Sequence, residues 1–247
     1  MKHCISSKNL VKYKIRLQLM KIWGMKMKSR NNLFLILGIV FAIIFIFAAN
    51  LAKGNLGASL DESFVNWADG QSTAFVTKIM DLASIIGSSE VIMLITVAIG
   101  VYFLIKRSWR HFFFFFVLSV GGVILNLALK MLIQRARPGD EAKFIEVFNY
   151  TFELQSYSFP SGHTMRASIL ILFLIYLAIY TLKNVPFKIG LIIIYLGILI
   201  SVALSRIMLD AHFATDVLGA IIVSIAWFFL CLSYFYKPKE LSFSMYK

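Results

Sequence analysis

An all-α bundle of six membrane-crossing helices is the fold class this sequence predicts, and three observations carry the prediction. Hydrophobic residues fill 60% of the 247 positions and charged ones only 15%, for a mean hydropathy of +0.80. That composition lies far from an ordinary soluble domain. The apolar residues gather into six runs, most of them near the roughly 20 residues that a helix needs to cross a bilayer core. The charges between the runs sort by sign, basic at one set of ends and acidic at the other.

The first run, 33–52, is preceded by Lys2, Lys8, Lys12, Lys14, Arg16, Lys21, Lys26, Lys28 and Arg30, and no acidic residue occurs before Asp61. Excess Lys and Arg marks the cytoplasmic side, so residues 1–30 read as a basic cytoplasmic leader, with disorder as one reading of it. The apolar stretch exceeds the roughly 7 to 15 residues of a cleaved signal peptide, and the first span is expected to stay as an anchor. From 60 to 86, Phe64, Val65, Trp67, Phe75, Ile79, Met80 and Leu82 alternate with Asp and Ser at loosely helical spacing. This predicts a helix lying on the outer membrane surface.

The second run, 91–105, returns the chain to Lys106, Arg107 and Arg110, and the third, 112–129, leads out to a long connection at 131–162. The fourth, 164–182, comes back to Lys183 and Lys188; the fifth, 189–204, and the sixth, 213–236, complete one six-span domain over 31–236. A short cytoplasmic tail follows at 237–247. With both termini inside, every acidic residue except Glu240 lies outside, so the topology is self-consistent and the expected location is the cell membrane.

A formal charge of +13 would suit nucleic acid, but the bases sit beside apolar spans, where anionic lipid headgroups account for them. The lipid bilayer is therefore the expected partner and nucleic acid is not. Cys4 and Cys231 both fall toward the cytoplasmic side, which gives no disulfide framework.

Three polar stretches interrupt the apolar pattern, at 130–138, 160–163 and 205–216, and the topology brings all three to the outer interface. Charges in such surroundings mark function. Arg137 and Arg206 each offer a planar fork of donors to phosphate oxygens, and Lys130 adds a compact cation; snorkelling is the alternative for any one of them alone. Ser161 can cap the fourth helix while Gly162 lets its backbone approach an anion, although Pro-Ser-Gly is also an ordinary helix start. His212 and Asp216, four apart, face one way on the sixth helix, so the carboxylate can accept a proton from one ring nitrogen and leave the other as a nucleophile. His163 can stand opposite as the acid that protonates a leaving oxygen. Two histidines and an aspartate could instead bind zinc, but the adjacent cations suit an anion better. No metal and no cofactor is expected.

Lys130, six residues, Arg137-Pro138; Pro160-Ser161-Gly162-His163; and Ser205-Arg206, five residues, His212, three residues, Asp216: in order, spacing and membrane placement this set resembles the type 2 phosphatidic acid phosphatase superfamily. The resemblance implies metal-independent hydrolysis of a lipid phosphate monoester or diphosphate through a phosphohistidine. It makes His212 the nucleophile, Asp216 its orienting group and His163 the acid, with Lys130, Arg137, Ser161, Gly162 and Arg206 holding the phosphoryl group. Phosphatidylglycerophosphate, undecaprenyl diphosphate and phosphatidate fit as substrates. The alternatives are a phosphotransferase drawing on a polyprenyl diphosphate and a non-catalytic lipid-phosphate binder or transporter. Asp210 stands where a small residue is common in relatives, and is expected to alter the basicity of His212 or weaken phosphate binding. Arg166, one turn into the fourth span, is expected to reach the same pocket.

Overall fold

The computed structural model describes the backbone of residues 7–138, 143–147, 150–154 and 157–236, with side chains for 29–138 and 157–236. The tail at 237–247 and Cys4 lie outside the described residues. Among the described residues eight helices follow in order: α1 (Ser7–Lys53), α2 (Asn55–Gln71), α3 (Ala74–Ile86), α4 (Ser89–Ile105), α5 (Trp109–Ile133), α6 (Gly162–Thr181), α7 (Val185–Met208) and α8 (Ala214–Phe235). The backbone of the basic leader is helical from Ser7 and runs straight into the first span.

Six helical segments among the described residues are long and apolar enough to cross a membrane: 29–53, 74–105, 109–133, 162–181, 185–208 and 214–235. The protein is thus a multi-pass membrane bundle. One feature is added to the all-α expectation, a short hairpin in the connection between α5 and α6. Its antiparallel strands β1 (Lys143–Val147) and β2 (Tyr150–Leu154) pair Lys143 with Leu154 and Val147 with Tyr150.

Half of the apolar window of α6 and of α8 is buried, against 11% for α1, α3–α4 and α7, so α6 and α8 form the centre and the others face lipid outward. Aromatic rings fill the space between α5, α6 and α8. Phe115 and Phe173 lie 4.3 Å apart between centroids, and Phe114 meets Phe173, Tyr176 and Phe228 at 5.4 to 6.1 Å. In a bilayer the gain from such packing is contact between close-fitting surfaces, since lipid tails are as apolar as the side chains.

The expected surface helix over 60–86 is replaced by two elements. Ser72 and Thr73 end α2, and Thr73 caps α3, its hydroxyl accepting the Val76 N–H at 3.3 Å. α3 then joins α4 to make the second crossing. The break between them is at Gly87, where a Cβ would come within 2.4 Å of Cγ1 of Val202 on α7; glycine leaves the room that this buried side chain fills. α2 alone keeps the amphipathic character foreseen. Leu56, Leu60, Phe64 and Trp67 lie exposed along one side, whereas Gly57, Asp61 and Ala68 are buried on another. Side chains four and seven apart share a helix face, so the buried stripe is small and carries one carboxylate.

At the end of the bundle opposite α2, Arg110 bonds the Phe235 carbonyl and Arg30 donates to the Tyr236 hydroxyl at 2.9 Å. These contacts tie α1 and α5 to the close of α8. The ends of α5 and α7 and the starts of α6 and α8 are left to converge at the α2 side.

Candidate active site

α7 stops because Asp210 adopts a left-handed conformation, φ 48°. That region favours glycine and is tolerated by Asp and Asn, which is a backbone reason for a small residue at this position. The turn is closed by the His212 N–H bonding the Arg206 carbonyl at 3.0 Å. His212 therefore sits just ahead of α8, in the bend before Ala214, and not within the helix as its spacing to Asp216 suggested. Burial leaves Asp210 with Asp69 as its charged neighbour and pushes its carboxyl up from the ordinary range.

Asp216 occupies the first turn of α8, where a carboxylate complements the helix dipole. It is fully buried, and a buried charge survives only with excellent partners. It has four. Its Oδ1 accepts from Arg135 Nη1 at 2.6 Å; its Oδ2 accepts from the Phe213 N–H at 3.0 Å and from the Ser158 hydroxyl, and faces His212 Nδ1 at 3.6 Å.

A separation of 3.6 Å is an ion-pair distance, beyond a hydrogen bond. The carboxylate thus faces the ring at ion-pair distance, and Ser158 stands beside both. Ser158 Oγ stands 3.4 Å from His212 Nδ1 while donating to Asp216. With the proton on Nδ1, the ring donates to Ser158, Ser158 to Asp216, and Nε2 keeps its lone pair. Burial drives the His212 pKa down to about 4, although Asp216 pulls it the other way; the ring is neutral at physiological pH. Removing the Ser158 hydroxyl with Ser158→Ala is expected to lower kcat by roughly tenfold with little change in KM, as befits a residue that only orients the His212 ring. Steady-state kinetics checks it, and an unchanged kcat would remove Ser158 from the site.

The cations surround the ring differently from one another. Lys130 donates to the Tyr157 carbonyl, and so holds the strand of chain that presents Ser158. Arg206 Nη1 reaches Ser84 Oγ on α3 at 2.5 Å. The Nε atoms of Arg166 and Arg206 are both buried with no partner among the described residues. Arg137, Arg166, Arg206 and His212 all lie within electrostatic range of His163, so Arg166 does join the cluster. Burial lowers the pKa of Arg137, as expected where cations are held together away from water.

Ser161 caps α6, as its place ahead of the apolar run suggested: its hydroxyl accepts the Thr164 N–H and lies 3.0 Å from the Thr164 hydroxyl, while its N–H bonds the Asp216 carbonyl at 3.2 Å and so clamps α6 to α8. The N–H groups of Gly162 and His163, next along the same turn, have no hydrogen-bond partner among the described residues and remain for an anion. Asn126 on α5 supports the turn by donating to the Pro160 carbonyl at 3.2 Å.

Four site residues escaped sequence reasoning: Asp61, Arg135, Ser158 and Thr215. Arg135 contacts Asp216, Thr215 Oγ1 at 2.7 Å and Asp61 at 2.5 Å, with its guanidinium 4.5 Å from the Phe213 ring centre. Asp61 carried a usable signal, being a lone carboxylate on the Gly57–Ala68 small-residue face of α2. Ser158 carried none. Among the described residues no three His, Cys, Asp or Glu side chains are grouped to hold a metal ion.

Comparison with known proteins shows what the chain resembles. The PAP2 superfamily profile matches residues 111–240, which include all three polar stretches. Phosphatidylglycerophosphatase B of Bacillus subtilis (strain 168) is 29% identical over 203 residues, covering 80% of this chain and 94% of its own length. The crystal structure of the transmembrane PAP2-type phosphatidylglycerolphosphate phosphatase from Bacillus subtilis aligns with a TM-score of 0.66 at 27% identity, covering 83% of this chain and 98% of that one.

Proposed function

The chain belongs to the PAP2 superfamily and is a membrane phosphatase, and from that premise we propose that it hydrolyses phosphatidylglycerophosphate, on the extracytoplasmic side, through a phosphohistidine on His212. The observation that carries this reading is the buried His212 ring, oriented through Ser158 and Asp216 beside the group of Arg137, Arg166, Arg206 and His163. Binding a phosphate would need the cations alone; an oriented, neutral imidazole among them is what displacement at phosphorus adds.

In the first step the Nε2 lone pair attacks phosphorus, the ester P–O bond breaks, and His163 passes a proton to the departing alkoxide. In the second, water adds to phosphorus as His163 takes its proton, the P–N bond breaks with its electron pair returning to Nε2, and inorganic phosphate leaves. Arg137, Arg166, Arg206 and the N–H groups of Gly162 and His163 stabilise charge on the phosphoryl oxygens, which is most of what phosphoryl transfer asks of a protein. The donor set favours an anion over zinc, since both oxygens of Asp216 are already engaged.

The extracytoplasmic placement rests on the basic leader and inner loops, with the site at the opposite end of the bundle. The lipid tail then lies among the helices with its phosphate at the interface. Similarity to the Bacillus phosphatase favours phosphatidylglycerophosphate over undecaprenyl diphosphate and phosphatidate. Phosphate release from all three lipids, measured in detergent with chelator present, tests the reading together with His163→Ala. Release from phosphatidylglycerophosphate is expected to be fastest and insensitive to chelator, and the variant to lose roughly a hundredfold or more in kcat. Preference for another lipid would reassign the substrate, chelator sensitivity would refute metal independence, and release only on addition of an acceptor would make the protein a transferase.

A further inference from the structure

Asp61 belongs to none of the three polar stretches, yet it is 2% exposed and bonded at both oxygens. Oδ1 accepts the Thr215 N–H at 2.9 Å; Oδ2 accepts the Thr215 hydroxyl at 2.8 Å and Arg135 Nη2 at 2.5 Å. The other terminal nitrogen of Arg135 holds Asp216. One guanidinium thus spans two carboxylates, one on α2 and one on α8, and the second of these supports the His212 ring.

We propose that Asp61 is a positioning residue of the reaction: by neutralising Arg135, it lets that arginine fix Asp216 without cancelling the negative charge that Asp216 presents to His212. The assignment rests on the phosphohistidine reading above. As Nε2 bonds to phosphorus the ring gains positive charge, and a negative charge at the Nδ1 side stabilises it. An Arg135–Asp216 pair alone is neutral. With Asp61 the trio carries a single net negative charge, in a buried setting where charge is weakly screened. The Arg135 fork also holds Asp216 by directed bonds that a lysine could not reproduce.

The contact has a second consequence for geometry. The first N–H groups of a helix have no partner within it; at α8, Asp216 takes that of Phe213 and Asp61 takes that of Thr215. Two carboxylates from different helices therefore pin the start of α8 and the bend that carries His212. The outward face of α2, with Leu56, Leu60, Phe64 and Trp67 exposed, suits the membrane interface, so the helix that carries Asp61 is seated on lipid.

The test uses the full chain in detergent and phosphate release from phosphatidylglycerophosphate, undecaprenyl diphosphate and phosphatidate. On whichever lipid the wild type hydrolyses, Asp61→Asn is expected to lower kcat by roughly tenfold to a hundredfold while KM moves by less than about twofold. Glu62→Gln, removing an exposed charge from the same helix, is expected to match the wild type. The decisive variant is Asp61→Asn combined with Arg135→Gln, which restores the single net negative charge; its kcat should recover at least about threefold over the single variant, as coupled charges are non-additive. A purely structural role for Asp61 predicts the reverse, with the double variant slower and less heat-stable. Unchanged kcat in Asp61→Asn, a rise in KM alone, or a double variant no faster than the single one overturns the proposal. If Asp61→Asn does not fold, the double variant decides: with Arg135 gone Asp61 has no charge to neutralise, so the double variant is expected to match the kcat of Arg135→Gln within about twofold, and a further loss of roughly tenfold or more overturns the proposal. A wild type that releases no phosphate from any of the three lipids overturns the phosphohistidine reading, and this assignment with it.

Discussion

His212→Asn is expected to reduce turnover by roughly a thousandfold or more while leaving the fold intact. The amide can still bond toward Ser158 and Asp216, so the bend before α8 keeps its hydrogen bonds, but it has no lone-pair nitrogen to attack phosphorus. Phosphate release measures the loss, and an unchanged thermal melting point excludes unfolding as its cause. Quenching the wild type during turnover into alkaline detergent, where a P–N bond survives, should trap label from a phosphorylated lipid on the protein, and none on the variant. The same ring governs the acid side of the pH profile. Attack requires neutral imidazole, and burial lowers the His212 pKa to about 4, so the acid limb of kcat/KM should fall near pH 4 and not near the roughly 6.5 of an unperturbed histidine. Retained turnover in His212→Asn would remove the covalent mechanism.

Gly219→Val is expected to lower stability by roughly 1–3 kcal/mol or more, and turnover with it, although residue 219 touches no part of the reacting group. A Cβ at 219 would lie 2.4 and 2.6 Å from Cζ and Cε2 of the Phe159 ring. That ring is fully buried and packs at 5.7 Å on Phe45 of α1, so it has no free space to enter. Phe159 also leads directly into Pro160 and Ser161, and Ser161 is joined to the Asp216 carbonyl. Pushing the ring away therefore strains the link between the starts of α6 and α8. Thermal melting in detergent and the kcat of Gly219→Ala and Gly219→Val check this as a graded pair. Equal melting points for both variants and the wild type would contradict it.

Hydrophobic run length and the sign of flanking charges determined the number of crossings by themselves, because a bilayer core demands apolar residues and internally paired backbone over a fixed thickness. The spacing of Lys130, Arg137, His163, Arg206, His212 and Asp216 likewise sufficed to bring them to one end of the bundle, since each lies at a helix end whose side follows from the alternation. Partner choice did not follow. That Ser158 stands between His212 and Asp216, that Ser161 is occupied with Asp216 and Thr164, and that α3 continues into the second crossing were decided by packing. So was the meeting of Asp61 with Arg135 across 74 positions of sequence. Periodicity shows which face of α2 is buried, but only the close approach of α2 to α8 determines what that face meets, because a buried charge is stable only where the assembled fold brings a partner to it.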